Sequence, residues 1–222
     1  HDALPISQVT YRETIARKAR AEGRIERQIA GENQFGQCVI ELEPQDSGSG
    51  FKFINQVPEG RLPKPYVGPV EQGIRESMEN GVLAGYRMMD FSATLIDAQY
   101  NEESAAEMAY KIAAANAFRE AARNAEPQLL EPVFKVEVAT PDEFMGNVIG
   151  DLNARRGKIL NMTSRGSSQV VDAEVPLATM FGYATDLRSL TQGRGIFTME
   201  FKQYAAVPPK ISQEILTRMG RF

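Results

Sequence analysis

Hydrophobic and polar positions change period several times along this chain, and the second half is the easier to read. Phe134, Val136 and Val138 alternate with Lys135 and Glu137, the two-residue period of a half-buried strand. Thr140-Pro141-Asp142-Glu143 predicts a helix start, with Thr140 as the cap, Pro141 in the first turn and Glu143 three residues after the cap. Phe144, Val148, Ile149 and Leu152 then give a buried helical stripe. Residues 158–162 and 170–175 flank Ser164-Arg165-Gly166-Ser167 and predict a hairpin. A second helix is predicted over 177–190 with Gly193 as its exit, and Phe197, Met199 and Phe201 alternate with Thr198 and Glu200 in a last strand. The order β-α-β-β-α-β is the ferredoxin-like split pattern. Residues 205–222 are expected to be a short helical tail or a frayed end.

The first half opens with Val9-Thr10-Tyr11, strand-like, and then a charged stretch over 12–27 whose apolar members are sparse. Two strand-like runs, 38–42 and 51–57, are separated by the turn Ser47-Gly48-Ser49-Gly50. Val67, Val70, Ile74 and Met78 recur at helical spacing within 66–80, and Gly81 suits the exit. A strand is predicted over 88–98. Ser104 and Glu107 have capping-box spacing ahead of a helix that has Met108, Ile112, Ala115 and Ala122 on one face, with Lys111, Arg119 and Arg123 off it. That helical pattern stops at Glu126-Pro127-Gln128, because Pro127 cannot continue it. The expected fold class is α+β in two domains, 1–128 and 129–222.

Composition narrows the chemistry. The 222 residues are 42% hydrophobic and 24% charged, which is ordinary for a soluble protein, and no apolar run approaches the ~20 residues of a membrane helix. The net charge is −4, split as 14 basic against 19 acidic residues over 1–129 and 11 against 10 over 130–222. RNA contact would therefore rest on local patches and shape. The start, His1-Asp2-Ala3-Leu4-Pro5, lacks an initiator Met and an apolar signal core, which suggests an excised fragment. Cys38 alone excludes an internal disulfide, fits a reducing cytosol and is expected to pack in the core. One Cys and one terminal His leave no zinc site and no Ser-His or Cys-His nucleophile. Glu102 and Glu103, adjacent carboxylates, read as a solvated loop before a helix N-terminus. No G-x-x-x-x-G-K-[ST] phosphate loop occurs; 150–158 has glycines and a lysine without its spacing. No catalytic or metal-ligating residue is assigned.

Several segments carry a family likeness. Residues 176–204, PLATMFGYATDLRSLTQGRGIFTMEFKQY, resemble the last domain of bacterial elongation factor G, a translational GTPase. Gln8-Val9-Thr10-Tyr11-Arg12-Glu13-Thr14-Ile15 looks like the opening of that family's fourth domain, and Gly81-Val82-Leu83-Ala84-Gly85-Tyr86 like the turn in its middle. Leu129-Leu130-Glu131-Pro132-Val133 and Gly150-Asp151-Leu152 look like the opening of its fifth. The resemblance runs from about 8 to 204. It implies a ribosomal-protein-like (S5 domain-like) β-α-β lobe followed by a ferredoxin-like domain. It further implies a cytoplasmic, monomeric factor whose partners are ribosomal RNA, ribosomal proteins and the tRNA–mRNA in the decoding site. GTP and Mg would be bound by a separate domain of the parent, with no cofactor in this portion.

The same resemblance selects candidate contact residues. Two tip loops would enter the decoding site: 30–36, with Gly31, Glu32, Asn33, Gln34 and Phe35, and 97–104, with Gln99, Tyr100, Asn101 and Glu102. Glu32 and Asn33 stand where Arg and Gly are common, and Asn101 where a histidine is typical. This departure implies a divergent paralogue with weakened or altered translocation. Phe35 and Tyr100 are read either as stacking platforms or as anchors to the core. In the second domain Arg155, Arg156, Lys158, Arg165, Arg188 and Arg194 are the candidates, set near the large subunit's GTPase-associated RNA. Arg12, Arg17, Lys18, Arg20, Arg24 and Arg27 have two readings: facing phosphates, or a solvated face paired with Glu13, Glu22 and Glu26. A recycling or ribosomal-protection paralogue and a free-standing RNA-binding module remain as alternatives.

Overall fold

The computed structural model describes residues 9–221, so the stretch His1 to Pro5 and Gln8 lie outside the described residues. The described residues divide into two compact units: a larger lobe of residues 12–130 and 207–221, and a smaller unit of 9–11 and 131–206. The helical tail, α5 (Pro209–Arg218), therefore belongs to the larger lobe.

The larger lobe contains β1 (Arg12–Ile15), β2 (Ala19–Ile29), β3 (Glu32–Pro44), β4 (Phe51–Asn55), α1 (Val67–Met78), β5 (Phe91–Gln99) and α2 (Glu107–Asn124). Its main sheet has the order β2-β3-β5-β4, with β4 parallel to β5 and the other pairs antiparallel. This is the S5-like arrangement. The charged stretch 12–27 is largely strand. In β2 the small or apolar Ala19, Ala21, Gly23 and Ile25 alternate with exposed Arg20, Glu22, Arg24 and Glu26. Counting only large apolar residues hides this period, although it is the two-residue period of a strand with one buried face.

Two expectations about α2 are corrected. The helix begins at Glu107 with Ala106 at its cap and no side-chain cap bond, so Ser104 and Glu107 form no capping box. The Ser104 carbonyl instead accepts the N–H of Phe35 at 2.8 Å. The buried face is Ala109, Tyr110, Ala113, Ala114, Ala117, Phe118, Ala121 and Ala122, while Met108 is 50% exposed. Six of these eight buried residues are alanines, because the helix lies almost on the backbone of the sheet. A Cβ on Gly23 would sit 1.8 Å from the Ala113 carbonyl oxygen, and one on Gly36 would sit 2.5 Å from the Ala109 carbonyl carbon. On α1 the predicted stripe holds, with Val70, Ile74 and Met78 buried.

The smaller unit contains the rest of β6 (Pro127–Pro141), then α3 (Met145–Ala154), β7 (Lys158–Arg165), β8 (Ser168–Pro176), α4 (Tyr183–Leu190) and β9 (Ile196–Ala206). The sheet order β9-β6-β8-β7 with the two helices between strands is the split β-α-β arrangement that periodicity predicts. Val136, Val138, Val148, Leu152, Val171, Ala173, Val175, Tyr183 and Leu187 form its core. Two details differ from the sequence reading. Thr140 stays in the strand, buried, and a 3-10 turn over Asp142–Phe144 precedes α3. The helix expected over 177–190 is split: a 3-10 turn, Leu177–Thr179, comes first, and Gly182 at φ 74° reverses the chain before α4. Among the described residues no helix is long and apolar enough to cross a membrane.

Candidate functional site

The structure brings the two predicted tip segments together. β2 and β3 form a hairpin closed by two residues, Ala30 at φ 53° and Gly31 at φ 82°. Two successive positive φ values give the turn whose twist matches paired strands, and it favours Asn or Gly where this chain has Ala30. Glu32, Asn33, Gln34 and Phe35 are thus strand residues of the hairpin, paired with Ile29, Gln28, Arg27 and Glu26. β3 meets β5 only from Gln37 onward, so the hairpin projects past the third strand. Beyond Phe35 lie three cross-strand pairs and the turn, a ribbon about 10 Å long by strand rise.

Phe35 is the joint between the segments. It is buried, its N–H donates to the Ser104 carbonyl at 2.8 Å, and its carbonyl accepts from Ala106 at 3.2 Å. The Arg24 guanidinium lies over its ring at 5.0 Å, and Arg24 also donates to the Gln99 side chain at 2.9 Å. Phe35 is therefore placed as an anchor. Asn101 organises the second segment: its side-chain oxygen accepts the Glu103 N–H at 3.1 Å, and its carbonyl accepts from Ser104 and Ala105. This Asn-based turn is local chemistry that needs no charge. Tyr100, 39% exposed, sits 5.7 Å from the Tyr66 ring, which is 5.0 Å from Tyr110. Gly31, Glu32, Asn33, Gln99 and Glu102 are exposed. The surface offered is rich in amides, with Arg27 bound to Gln34 at 3.0 Å.

The charged face of β2 is internally paired. Lys18 and Arg20 both reach Glu41, at 3.3 and 2.7 Å, Arg24 reaches Glu26, and Glu22 accepts from Gln37. Burial pushes the Glu41 carboxyl up, but the hydrogen bonds and charges of Arg20 and Lys18 outweigh it and hold the group below its ordinary value. Glu13 is not on this face; it is fully buried. Its carboxylate accepts N–H groups from Val82 at 2.8, Leu83 at 2.7, Ala84 at 3.0 and Tyr86 at 2.9 Å. Local sequence gives no signal for this, because the partners lie about seventy positions away.

In the smaller unit the six basic candidates do not form one patch. Arg155 turns inward, bonded to Asp151 at 2.9 Å, to Asp186 and to the Thr179 carbonyl, with its guanidinium 4.9 Å from the Tyr183 ring centre. Arg156 pairs with buried Glu131 at 2.9 Å. Lys158 and Arg165 are at opposite ends of β7, about 23 Å apart by strand rise. Arg188 is exposed on α4. Arg194 is 58% exposed and bonds Glu143 at 2.9 Å. Lys158, Arg165, Arg188 and Arg194 are the members that face solvent.

The geometry has a counterpart among known proteins. The elongation factor G domain IV family matches residues 7–126, and the elongation factor G C-terminus family matches 128–215. A crystal structure of a protein from Thermus thermophilus superposes with a TM-score of 0.86 at 39% identity over 97% of this chain. The chain belongs to the elongation factor G family. It spans 32% of the length of that Thermus chain. In the larger lobe the segments around Glu13 and over 81–86, both of which carry the family likeness, meet in space: the second wraps the carboxylate of the first.

Proposed function

We propose that this chain is the ribosome-engaging portion of an elongation factor G-type GTPase that promotes tRNA–mRNA translocation in the cytoplasm. The hairpin tip enters the decoding site, and the smaller unit docks near the GTPase-associated centre of the large subunit. GTP and Mg act in another part of the parent, and the work done here is steric. The observation that carries this reading is the tip itself: a two-stranded ribbon projecting beyond its sheet, closed by a tight turn and flanked by the Asn101 turn. Its exposed groups include the amides of Gln28, Asn33, Gln99 and Asn101 beside the carboxylates of Glu32, Glu102 and Glu103, and the amides suit hydrogen bonding in a crowded RNA site more than phosphate neutralisation.

Glu32 favours a second reading within the same family, a paralogue with weakened or altered translocation. A carboxylate at the tip of the hairpin repels phosphate where an arginine would attract it. A single-turnover translocation assay of the parent separates the two. Glu32→Arg raising the rate supports the weakened paralogue. Normal rates, unchanged by Glu32→Ala and Asn101→Ala, remove these positions as determinants. Pelleting of the chain with ribosomes is expected to be weak and to fall steeply with salt; tight, salt-independent binding contradicts the docking reading.

A further inference from the structure

A buried carboxylate normally needs a cation or several donors to offset its lost hydration. Among the described residues Glu13 has donors only from main chain: each of its oxygens accepts two N–H groups of the loop that follows Gly81. Such converging amides are the chemistry of an anion-binding nest, here filled by the chain's own side chain. Gly81 at φ 57° is required by it, because a Cβ there would lie 2.3 Å from the Glu13 carboxylate and from the Tyr86 carbonyl oxygen.

The contacts extend from the carboxylate to the whole root of the lobe. The Glu13 N–H donates to the Arg87 carbonyl and its carbonyl accepts from Met89, both at 2.9 Å. The Thr14 hydroxyl donates to the Met89 carbonyl at 2.7 Å. Met88 donates to the Met78 carbonyl at the end of α1. Asp90, next along, accepts the N–H groups of Gly48 and Gly50 at 3.1 and 3.0 Å. β1, α1, β5 and the turn before β4 are thus held at one place. From this root the strands of β2 and β3 run about 33 Å to the Ala30-Gly31 turn.

We propose that Glu13 is the positioning residue of the lobe. Its carboxylate is the template around which 82–86 closes, and this ties the incoming strand β1 to the root so rigidly that a displacement of β1 reaches the hairpin tip undiminished. The second half of this statement rests on the translocation reading; the first does not.

The test has two arms. In the chain itself, hydrogen exchange reads the amides of Val82, Leu83, Ala84 and Tyr86. Glu13→Gln keeps the shape but sets an NH2 against two N–H donors, and these four amides are expected to lose at least tenfold protection while those of the β2–β3 hairpin keep theirs. Glu13→Ala removes a fragment equivalent to acetate. Its unfolding midpoint is expected to fall by about 10 °C and to recover several degrees in sodium acetate but not in sodium chloride of equal ionic strength. Unchanged exchange in Glu13→Gln overturns the clamp, and so does equal response to the two salts. If Glu13→Ala does not fold, Glu13→Gln decides alone. In the parent, Glu13→Gln is expected to slow single-turnover tRNA movement about tenfold with ribosome affinity unchanged. A lost clamp with an unchanged rate overturns the transmission. An unmutated parent that moves no tRNA overturns the functional reading, and the transmission with it, while the exchange data still decide the clamp.

Discussion

At the root of the larger lobe Glu13 is 0% exposed and Asp90 5% exposed, and the carboxylates of both are occupied by backbone N–H groups. At the tip, Glu32 and Asn33 are exposed on a short ribbon whose turn places an alanine at positive φ. The two ends of one lobe use polar groups in opposite ways. The root commits the carboxylates of Glu13 and Asp90 to its own backbone. The tip holds its shape with few side chains and leaves amides available. The proposed steric role calls for a rigid base under an exposed polar surface, and each half can be measured.

The largest effect is expected between root and tip, where α2 rests on the sheet. Gly36→Ala would force a Cβ to 2.5 Å from both the Ala109 carbonyl carbon and the Tyr110 nitrogen, and Gly23→Ala is tighter still at 1.8 Å. Each should cost about 3 kcal/mol or more in a urea titration, since the clash is with helix backbone that cannot swing aside. A loss below about 1 kcal/mol would mean that the helix can lift off the sheet. Next comes Asp90→Ala, which strands two N–H groups and puts alanine at φ 63°, for about 2–3 kcal/mol; Asp90→Asn, which keeps an acceptor and tolerates that φ, should cost about half as much. At the tip the sign reverses. Ala30→Asn relieves a φ of 53° and should stabilise by about 0.5–1 kcal/mol, seen as a higher thermal midpoint. Smallest of all, Glu32→Ala should shift stability by less than about 0.5 kcal/mol, and a larger loss would show the tip to be structural after all.

What could be read beforehand depended on how local the cause was. The α1 stripe and the alternation of Phe197 and Met199 follow from side chains facing one layer, the β7–β8 hairpin follows from its Gly166 turn, and each matched, while Phe201, the third member of that alternation, is 53% exposed. Caps were misplaced where backbone partners intervened: Ser104 gives its carbonyl to Phe35, and Thr140 stays in its strand. The break at Gly182 inside an apparently continuous helix turns on one positive φ that a helical period does not record. Among the candidate residues, Asn101 and Tyr100 sit in the projected loop, but Phe35 is a buried joint and Arg155 is bound inward by two carboxylates. A basic residue after a helix looks the same in sequence whether it meets solvent or Asp186.

The sequence by itself determined the α+β class, the split β-α-β order of the smaller unit and membership of a family, because periodicity and long motifs survive without knowledge of contacts. Only the tertiary structure decided which face of α2 is buried and that the 81–86 loop closes on Glu13. The second depends on atoms about seventy residues apart meeting within 3 Å, and no local pattern of hydrophobic and polar positions encodes such a meeting.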